Sequence, residues 1–514
     1  MDSYTRYITL NKEKYKEKGT AKCGGYVLVD LQTTNEFFAS CIMKIAAGYR
    51  DITGYGLVVV NARKLGKGLR EIVESYYPAK SMSIVSVMLG GFLRNVRKIL
   101  GTVMRIRKGS DLVSLQIDGM LVGMHIYDFI LRKMALPSLH NLTAKQRLFV
   151  MMELAYFYGM KRYVERNNIK HMLLPDNAYR GGLTFEISRF CEIPSIVGVD
   201  LNGMSMHSYK LADDYRYQCR TPDSSVVDMV ENDPACHDRV DKYLTVRTEA
   251  GEMQHDVLRA YAPDKHLVCR GDLDSRYDLD PDKKLVLVAA HVFCDAPHAT
   301  PEMLFQDYED WLVQTCQCLN NNDQVNVLVK EHPSAGLYGE EGSTKRILEA
   351  HNVDVKVIDP NINTKSLFDC VDTLVTCGGT SGMEFPCYGV PVVVAAKPPY
   401  YNEAYIRSSD SLEEYCGRLG NIHMYERLSE AEVKRARAIL YVIQSVMKVK
   451  RDALGLGSQD YYMGCTIDYD RHYRELCQVN DKESAAYKLE KMMKDLMLGS
   501  HNNLIDSMKL NNSS

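Results

Sequence analysis

Short apolar runs alternate along the chain with segments whose apolar residues follow the period of a helix. In the first half they begin at GGYVLVDL and continue with GLVVVNA (56–62), SIVSVML (83–89), LVSLQID (112–118), HMLLP (171–175) and PSIVGVD (194–200). Continuous apolar runs are typical of strands in a parallel sheet that helices cover on both faces. The pattern therefore predicts an α/β fold.

A second series of the same kind starts at residue 284. Its runs are KLVLVAAHVF (284–293), VNVLVKEHP (325–333), VDVKVID (353–359), TLVTCGG (373–379) and VPVVVAA (390–396). The stretch between the two series is polar and contains the turn signals PDSS, NDP and APDK. This organisation predicts two Rossmann-like domains whose parallel sheets face an interdomain cleft.

These patterns suggest five segments along the chain. They are an N-terminal tail or peripheral helix (1–20), a first Rossmann-like domain (21–210), a linker with connecting helices (211–283), a second Rossmann-like domain (284–480), and a C-terminal helix and tail (481–514). In open parallel sheets, ligands bind beyond the carboxyl ends of the strands. Candidate functional residues are therefore sought at those ends.

Composition narrows the class of protein. Of the 514 residues, 46% are hydrophobic and 25% are charged, which is ordinary for a globular chain. The net charge of -3 gives no electrostatic case for a nucleic-acid partner. The polar N-terminus lacks the apolar core of a secretion signal, and no run of about 18 apolar residues predicts a transmembrane helix. The 15 cysteines are scattered as reduced, buried thiols are, so we expect a cytoplasmic protein.

A cluster of small residues follows the run TLVT. Its candidate phosphate-binding residues are Gly378, Gly379, Thr380, Ser381 and Gly382. Glycines let the backbone approach a ligand, and the hydroxyls and the N–H groups of the next helix would hold an anion. Glu384 would accept hydrogen bonds from ribose hydroxyls. A tight turn with an ordinary helix cap is the alternative interpretation.

The second candidate site ends the run VNVLVKEHP. Pro333 biases His332 towards an extended backbone, and a histidine held there can bind a phosphate and stabilise a leaving nucleotide. Lys330 is a phosphate partner or a solvated charge at the strand end. For His332, packing against a loop is the alternative.

A third run ends in HVFCDAPHATPE. His291, Asp295 and His298 follow the first strand of the second domain, which places them as candidates at the floor of a cleft. Their spacing also fits a metal site, but on a loop that geometry is unspecific. Cys316 and Cys318 lack the ligand spacing of a zinc site, and we expect no bound metal.

The first domain offers acidic residues at two strand ends. Asp176 follows a buried strand directly, which makes it the best-placed general base or nucleophile, with a loop-stabilising role as the alternative. Asp30 and Arg180 are further candidates for the same cleft.

Residues 92–108, FLRNVRKILGTVMRIRK, are basic with interleaved apolar residues. Such a segment can contact an anionic lipid at the inner face of the plasma membrane, or a polyanionic acceptor. A solvated helix face is the other interpretation.

Taken together, the motifs of the second half resemble the nucleotide-binding domain of GT-B glycosyltransferases. The likeness is greatest to bacterial capsule and lipopolysaccharide synthesis proteins, including Kdo and polysialic-acid transferases. It rests on His332-Pro333, on Thr380-Ser381-Gly382 with Glu384, and on the run YGVPVV (388–393), and it is specific over 284–396. Phe385-Pro386 and the HVFCDAPH run depart from the family pattern.

The resemblance implies a GT-B glycosyltransferase that moves a sugar from a CMP- or UDP-linked donor. Its acceptor would be an oligosaccharide or a lipid-linked glycan of a surface polysaccharide. The first domain would bind this acceptor and the second the nucleotide-sugar, and no metal or further cofactor would be needed. The alternatives of the same fold are a nucleotide-sugar 2-epimerase and a CDP-polyol phosphotransferase, and a non-catalytic polysaccharide-assembly protein is the third.

Overall fold

A computed structural model describes most of the chain. The described residues are 2–16, 24–31, 36–61, 67–76, 79–197, 204–205, 207–209, 221–249, 255–449, 470, 473–474 and 477. They fall into two compact units. The first comprises Met1–Ile130, Asn141–Gln218 and Val446–Ser514, and the second comprises Leu131–His140 and Cys219–Ser445.

The first unit contains a six-stranded sheet of order β3-β2-β1-β4-β5-β7. Its strands run parallel except the edge strand β7, which pairs antiparallel with β5. The strands up to residue 209 are β1 (Tyr26–Leu31), β2 (Gly56–Asn61), β3 (Ala79–Ser83), β4 (Ile169–Leu174), β5 (Ser195–Val197), β6 (Met204–Ser205) and β7 (His207–Tyr209). The prediction of a Rossmann-like α/β unit is confirmed here.

The second unit contains a six-stranded sheet that is parallel throughout, of order β10-β9-β8-β11-β12-β13. Its strands are β8 (Lys284–Ala289), β9 (Val325–Lys330), β10 (Lys356–Val357), β11 (Thr373–Thr376), β12 (Val392–Val394) and β13 (Ile406–Arg407). A last short strand, β14 (Lys448–Val449), pairs antiparallel with β6. The second half is thus also Rossmann-like, as predicted.

Helices connect the strands in both units. Those up to residue 190 are α1 (Ser3–Lys16), α2 (Glu36–Thr53), α3 (Lys67–Tyr76), α4 (Ile84–Arg105), α5 (Gly109–Val113), α6 (Val122–Met134), α7 (Ala144–Arg166) and α8 (Tyr179–Phe190). Those after residue 220 are α9 (Ser224–Asn232), α10 (Pro234–Thr248), α11 (His255–Ala260), α12 (Arg270–Tyr277), α13 (Tyr308–Asn320), α14 (Ser343–Ala350), α15 (Thr364–Cys370), α16 (Ser381–Glu384), α17 (Leu412–Gly420) and α18 (Glu430–Tyr441). Short 3₁₀ turns lie at Pro297–Ala299, Ala335–Tyr338, Phe385–Tyr388 and Ile422–Met424, and a π-helical turn at Val442–Val446.

Each unit buries its own apolar core against its sheet. In the first, Val29 and Val59 of the central strands pack with side chains of α1, α2 and α3. In the second, Val288 of β8 packs in a cluster with Trp311 and Tyr415 of α13 and α17, and the Trp311 indole N–H donates to the Tyr415 hydroxyl at 3.0 Å. Each sheet therefore stands on a core of its own.

Several segments lie differently from the division made on sequence. Residues 3–16 of the expected N-terminal tail or peripheral helix form α1, whose Tyr7 is fully buried in the first core. Helices α9–α12 belong to the second unit, although residues 211–283 were assigned to a linker with connecting helices. The predicted C-terminal helix and tail, 481–514, lies outside the described residues.

The strand predictions made from two apolar runs are wrong. SIVSVML (83–89) begins α4, and the strand in this region is the preceding, more polar β3. LVSLQID (112–118) contains the end of α5 and a turn. A short apolar run cannot distinguish a strand from a helix by its period alone. In a buried strand, apolar side chains pack into the core. In the part of this run that lies in α4, several apolar side chains are instead exposed on the outer face of the helix.

Close packing of α4 on α7 gives a prediction about stability. A Cβ atom at Gly91 would collide with the backbone of Ala155 and Gly159. We expect Gly91→Val to lower the free energy of unfolding by about 1–3 kcal/mol, because the two helices must separate. Gly101→Ala in the same helix is the control, since a Cβ there meets nothing within 4 Å. It should be neutral or stabilise by up to about 1 kcal/mol in denaturant unfolding. Equal effects of the two substitutions would contradict this packing.

Candidate functional site

Three strands of the second unit end at one level. In the sheet, Ala289 of β8 is the partner of both Lys330 of β9 and Thr376 of β11. The segments that leave these residues surround a cavity of about 90 Å³. Eight of the residues singled out by sequence line it, namely His291, Lys330, His332, Pro333, Gly379, Thr380, Ser381 and Glu384. The parallel sheet thus brings the two principal sequence motifs to one pocket.

The turn after β11 is held by close contacts. The hydroxyl of Tyr400 donates to the carbonyl of Gly379 at 2.5 Å, and a Cβ at Gly382 would collide with the Tyr400 ring. The N–H groups of Thr380 and Ser381 have no acceptor among the described residues. The wall of the pocket therefore offers two adjacent backbone donors.

The helix expected to bind phosphate at its N-terminus is too short for that role. It comprises only Ser381–Glu384 before a 3₁₀ turn that contains Pro386, and Thr380 makes no side-chain cap. Pro386 fits this early end, because a proline is tolerated in the first turn of a helix and not in its interior. A helix of four residues has little macrodipole, so the N–H groups, and not the helix, are the donors at this wall.

His332 is fixed in one tautomer. Its Nδ1 accepts the N–H of Ser334 at 3.2 Å, so in the neutral ring the proton is on Nε2, which can donate. The Ser334 hydroxyl donates to Asp256 of α11. Glu331 accepts the N–H groups of Gly342 and Thr344 at 2.9 and 3.1 Å. The loop that carries His332 is therefore tied down at both sides.

Lys330 is buried at the pocket floor. It is therefore not the solvated charge that was one of its two interpretations from sequence. Its ammonium donates to the carbonyl of Ile362 at 3.3 Å. Burial, then the charge of Lys265, lowers the pKa of Lys330 to about 7, while Asp359 opposes the shift. Thr364 also lines the pocket, and its hydroxyl is buried with no hydrogen-bond partner. Lys330 has two further N–H donors, so the floor has unused capacity for an anion.

His291 has a different character from His332. Its ring stacks on Tyr308 at 4.3 Å, and Nε2 lies 3.2 Å from the hydroxyl of Thr376. Burial and the nearby His332 lower the pKa of His291 to about 3, so its ring is neutral at physiological pH. It shapes the pocket and does not supply charge.

Asp295 and His298 do not line this pocket. Asp295 accepts a hydrogen bond from the Tyr338 hydroxyl at 3.3 Å, and His298 is buried. Glu340 fixes the start of this loop by accepting the N–H groups of Phe293 and Cys294. The described residues contain no group of three side chains suited to a metal ion.

Glu384 is already engaged by protein groups. Its Oε1 accepts from the Nε–H of Arg247 at 2.8 Å and lies 2.6 Å from Nη2 of the same guanidinium in an ion pair, and its Oε2 accepts from the Tyr261 hydroxyl at 2.8 Å. In this structure it links α10 and the residue after α11 to α16. Gly378, the first glycine of the turn, does not line the pocket and faces Thr300 and Pro398.

Sequence reasoning missed Arg247, Tyr261, Asp256 and Thr364. They lie in segments without a strand-end pattern, and Arg247, Asp256 and Tyr261 come from the polar stretch that was assigned to a linker. Only their spatial proximity to Glu384, Ser334 or the cavity shows their importance.

The candidates of the first unit make contacts within that unit. Asp176 accepts the N–H of Ala178 at 3.1 Å, at the start of α8. Arg180 forms a two-pronged ion pair with buried Glu153, at 2.7 and 2.5 Å. Burial raises the pKa of Glu153, against the effect of the arginine. Asp30 is fully buried at the end of β1. Asp176 thus has a loop-stabilising contact, and its catalytic role stays a prediction.

No protein-family model and no curated protein matches the sequence. Among solved structures, the beta-Kdo 2,4 transferase KpsC of Thermosulfurimonas dismutans is 15% identical with a TM-score of 0.30, over 52% of this chain and 79% of that one. The UDP-GlcNAc 2-epimerase of Neisseria meningitidis, bound to UDP-GlcNAc, is 9% identical with a TM-score of 0.25, over 81% and 98%. Anabaena Alr3699/HepE in complex with UDP-glucose is 13% identical with a TM-score of 0.26, over 83% and 96%. Similarity at this level says nothing about substrate or chemistry, which must come from the pocket itself.

The buried amine gives a pH-dependent prediction. Because the pKa of Lys330 falls from 10.5 to about 7 on folding, the unfolded chain binds more protons between these values, and stability should rise with pH there. We expect Lys330→Met to raise the free energy of unfolding at pH 7 by roughly 2–4 kcal/mol, and to flatten its rise towards higher pH.

Urea unfolding at several pH values measures this difference. Lys345→Met is the control, since the Lys345 side chain is 71% exposed, and it should follow the wild-type pH profile. Parallel profiles for wild type and Lys330→Met would contradict a buried amine that titrates near neutral pH.

Proposed function

We propose that this chain is a glycosyltransferase that uses a nucleotide-sugar, and that the donor's phosphate binds in the pocket of the second unit. The observation that carries the proposal is the pocket itself. Buried Lys330 and the partnerless Thr364 hydroxyl lie at its floor, and the N–H groups of Thr380 and Ser381 lie at its wall. Ammonium, hydroxyl and backbone N–H groups that converge on one cavity are the donors that hold a phosphate oxygen.

The size of the cavity fits this assignment. One water needs roughly 10–15 Å³ of such space, so a cavity of about 90 Å³ accommodates a small anionic group with part of its surroundings. Leu287 and Phe385 line the cavity beside these polar groups. A charge placed there is removed from bulk water, which strengthens its attraction to the donors.

The proposed chemistry is electrostatic. As the bond between sugar and nucleotide breaks, negative charge develops on the leaving phosphate, and donors that are already positioned stabilise it. The Nε2–H of His332 is one such donor, and Lys330 becomes a full cation when an anion lies beside it. In this scheme, fixed protein groups neutralise the leaving group without a metal ion.

The acceptor side is proposed for the first unit. Asp176, at the end of β4, would take the proton of the acceptor hydroxyl as it attacks the sugar. We propose an oligosaccharide or lipid-linked acceptor and a surface-polysaccharide product, with CMP- and UDP-linked sugars as the donors to test first. The cysteines described are all free, which supports a reducing, cytoplasmic location.

Calorimetry with CMP, UDP, CDP and GDP tests the function most directly. Saturable binding of one nucleotide supports the proposal, and absence of binding by all four would remove it. Incubation with UDP-GlcNAc distinguishes the epimerase, which would release an epimer without any acceptor.

His332→Ala should weaken nucleotide binding by about 10- to 100-fold and slow turnover, because a hydrogen bond to a charged group is worth about 1.5–3 kcal/mol. Calorimetry and a steady-state assay with the nucleotide identified above measure the two effects. His140→Ala is the matched control in the same unit, since that side chain is 72% exposed, and both quantities should stay at their wild-type values. Unchanged kinetics in His332→Ala would exclude the leaving-group role.

Asp176→Asn should lower kcat by at least about 100-fold while nucleotide affinity stays unchanged, since the base is lost and the donor pocket is in the other unit. The asparagine keeps an oxygen for the N–H of Ala178, so the fold should persist. Wild-type turnover in this variant would leave Asp176 with its structural contact alone.

A further inference from the structure

Helix α4 carries a row of large apolar side chains on its outer face. We call this row the α4 stripe; it consists of Val85, Leu89, Leu93, Leu100 and Met104, which are 53%, 58%, 72%, 43% and 70% exposed. Steps of four residues keep Val85, Leu89 and Leu93 on one face before a kink at Asn95, and Leu100 and Met104 on one face after it. The opposite face of α4 is buried, so the helix cannot rotate to cover the row. The buried residues are Ile84, Val87, Gly91, Ile99 and Thr102.

Exposed large hydrophobic residues are concentrated on α4 and are not spread evenly over the described surface. Twelve large hydrophobic residues are exposed among those described, and five of them lie on this one helix. Leu148 at the start of α7 is also exposed, at 49%, and its neighbour Arg147 donates to the carbonyl of Val103 in α4 at 3.0 Å. A contiguous apolar surface of this kind marks an interaction site.

Positive charge borders the stripe. Between residues 84 and 108 the chain has six basic residues and no acidic one. Arg162 and Arg166 of α7 lie near Arg94: the pKa of Arg162 is lowered, first by desolvation and then by these two neighbouring guanidinium groups. The surface thus combines exposed apolar side chains with a margin in which basic residues outnumber acidic ones, although Glu165 of α7 partly offsets the arginines.

We propose that the α4 stripe docks on an anionic lipid bilayer, with α4 lying in the plane of the interface. Large apolar side chains can enter the acyl boundary, while the arginines and lysine beside them meet anionic headgroups. No helix in the described part of the chain is long and apolar enough to cross a bilayer. This inference concerns the first unit and does not depend on the proposed function of the pocket.

Charge decides between a bilayer and other occupants. A second copy of the helix would bring two basic margins together, which is unfavourable. A nucleic acid would satisfy the arginines but leave the exposed leucines and the methionine in water, since it binds through phosphates and stacked aromatic rings. An anionic membrane satisfies both parts of the surface.

Vesicle flotation with the full chain tests the proposal. We expect binding to phosphatidylcholine vesicles that contain phosphatidylglycerol, little binding to phosphatidylcholine alone, and weaker binding as salt is raised. The double variant Leu89→Ser/Leu93→Ser should bind at least about tenfold more weakly. Arg94→Gln/Arg97→Gln/Lys98→Gln should lose the preference for phosphatidylglycerol.

The control for the apolar change is Leu267→Ser, at a residue that is 69% exposed in the second unit, and it should bind vesicles as the wild type does. Unchanged thermal melting of all variants shows that they fold. Equal vesicle binding by wild type and the double-serine variant would overturn the proposal, as would absence of binding at low salt. A dimer in sedimentation analysis that the double variant disperses, without vesicle binding, or RNA binding in place of vesicle binding, would overturn it too.

Discussion

Parallel strands constrain where the chemistry of the second unit can be. All strands of its sheet run the same way, so their carboxyl ends lie along one edge, and register places Ala289, Lys330 and Thr376 at one level. Every segment that leaves these strands must turn at that edge. Residues more than 80 positions apart, such as His291 and Ser381, therefore meet around one cavity.

Sequence predicted the parts of the fold that depend on long apolar runs. The central strands β1, β2, β8, β9 and β11 lie where Val- and Leu-rich runs are buried on both faces, a pattern with few alternatives. It failed at 83–89, because the apolar character of α4 serves an outward surface as well as a core. A short apolar run shows which side chains are apolar, but it does not show whether they pack into the core or lie on the surface.

The pocket shows the same division at the level of single residues. Strand ends and glycines identified the motifs around His332 and Ser381, since these features are local in sequence. The partners that position them are not local: Asp256 holds the His332 loop through Ser334, and Arg247 holds Glu384. Both come from the polar helices before β8, and their relation to the site exists only in three dimensions.

A lysine amine removed from water is an unfavourable element in an empty site. The amine's own partner is only the carbonyl of Ile362, at 3.3 Å. The folded protein tolerates the buried amine because pairing with β8 and β10 holds β9, the strand that carries Lys330, in place. When an anion arrives, Lys330 can take a proton from the solvent, and the two opposite charges then neutralise each other away from water. Anion binding at this site is thereby linked to pH, because the occupied site holds its proton more tightly than the empty one.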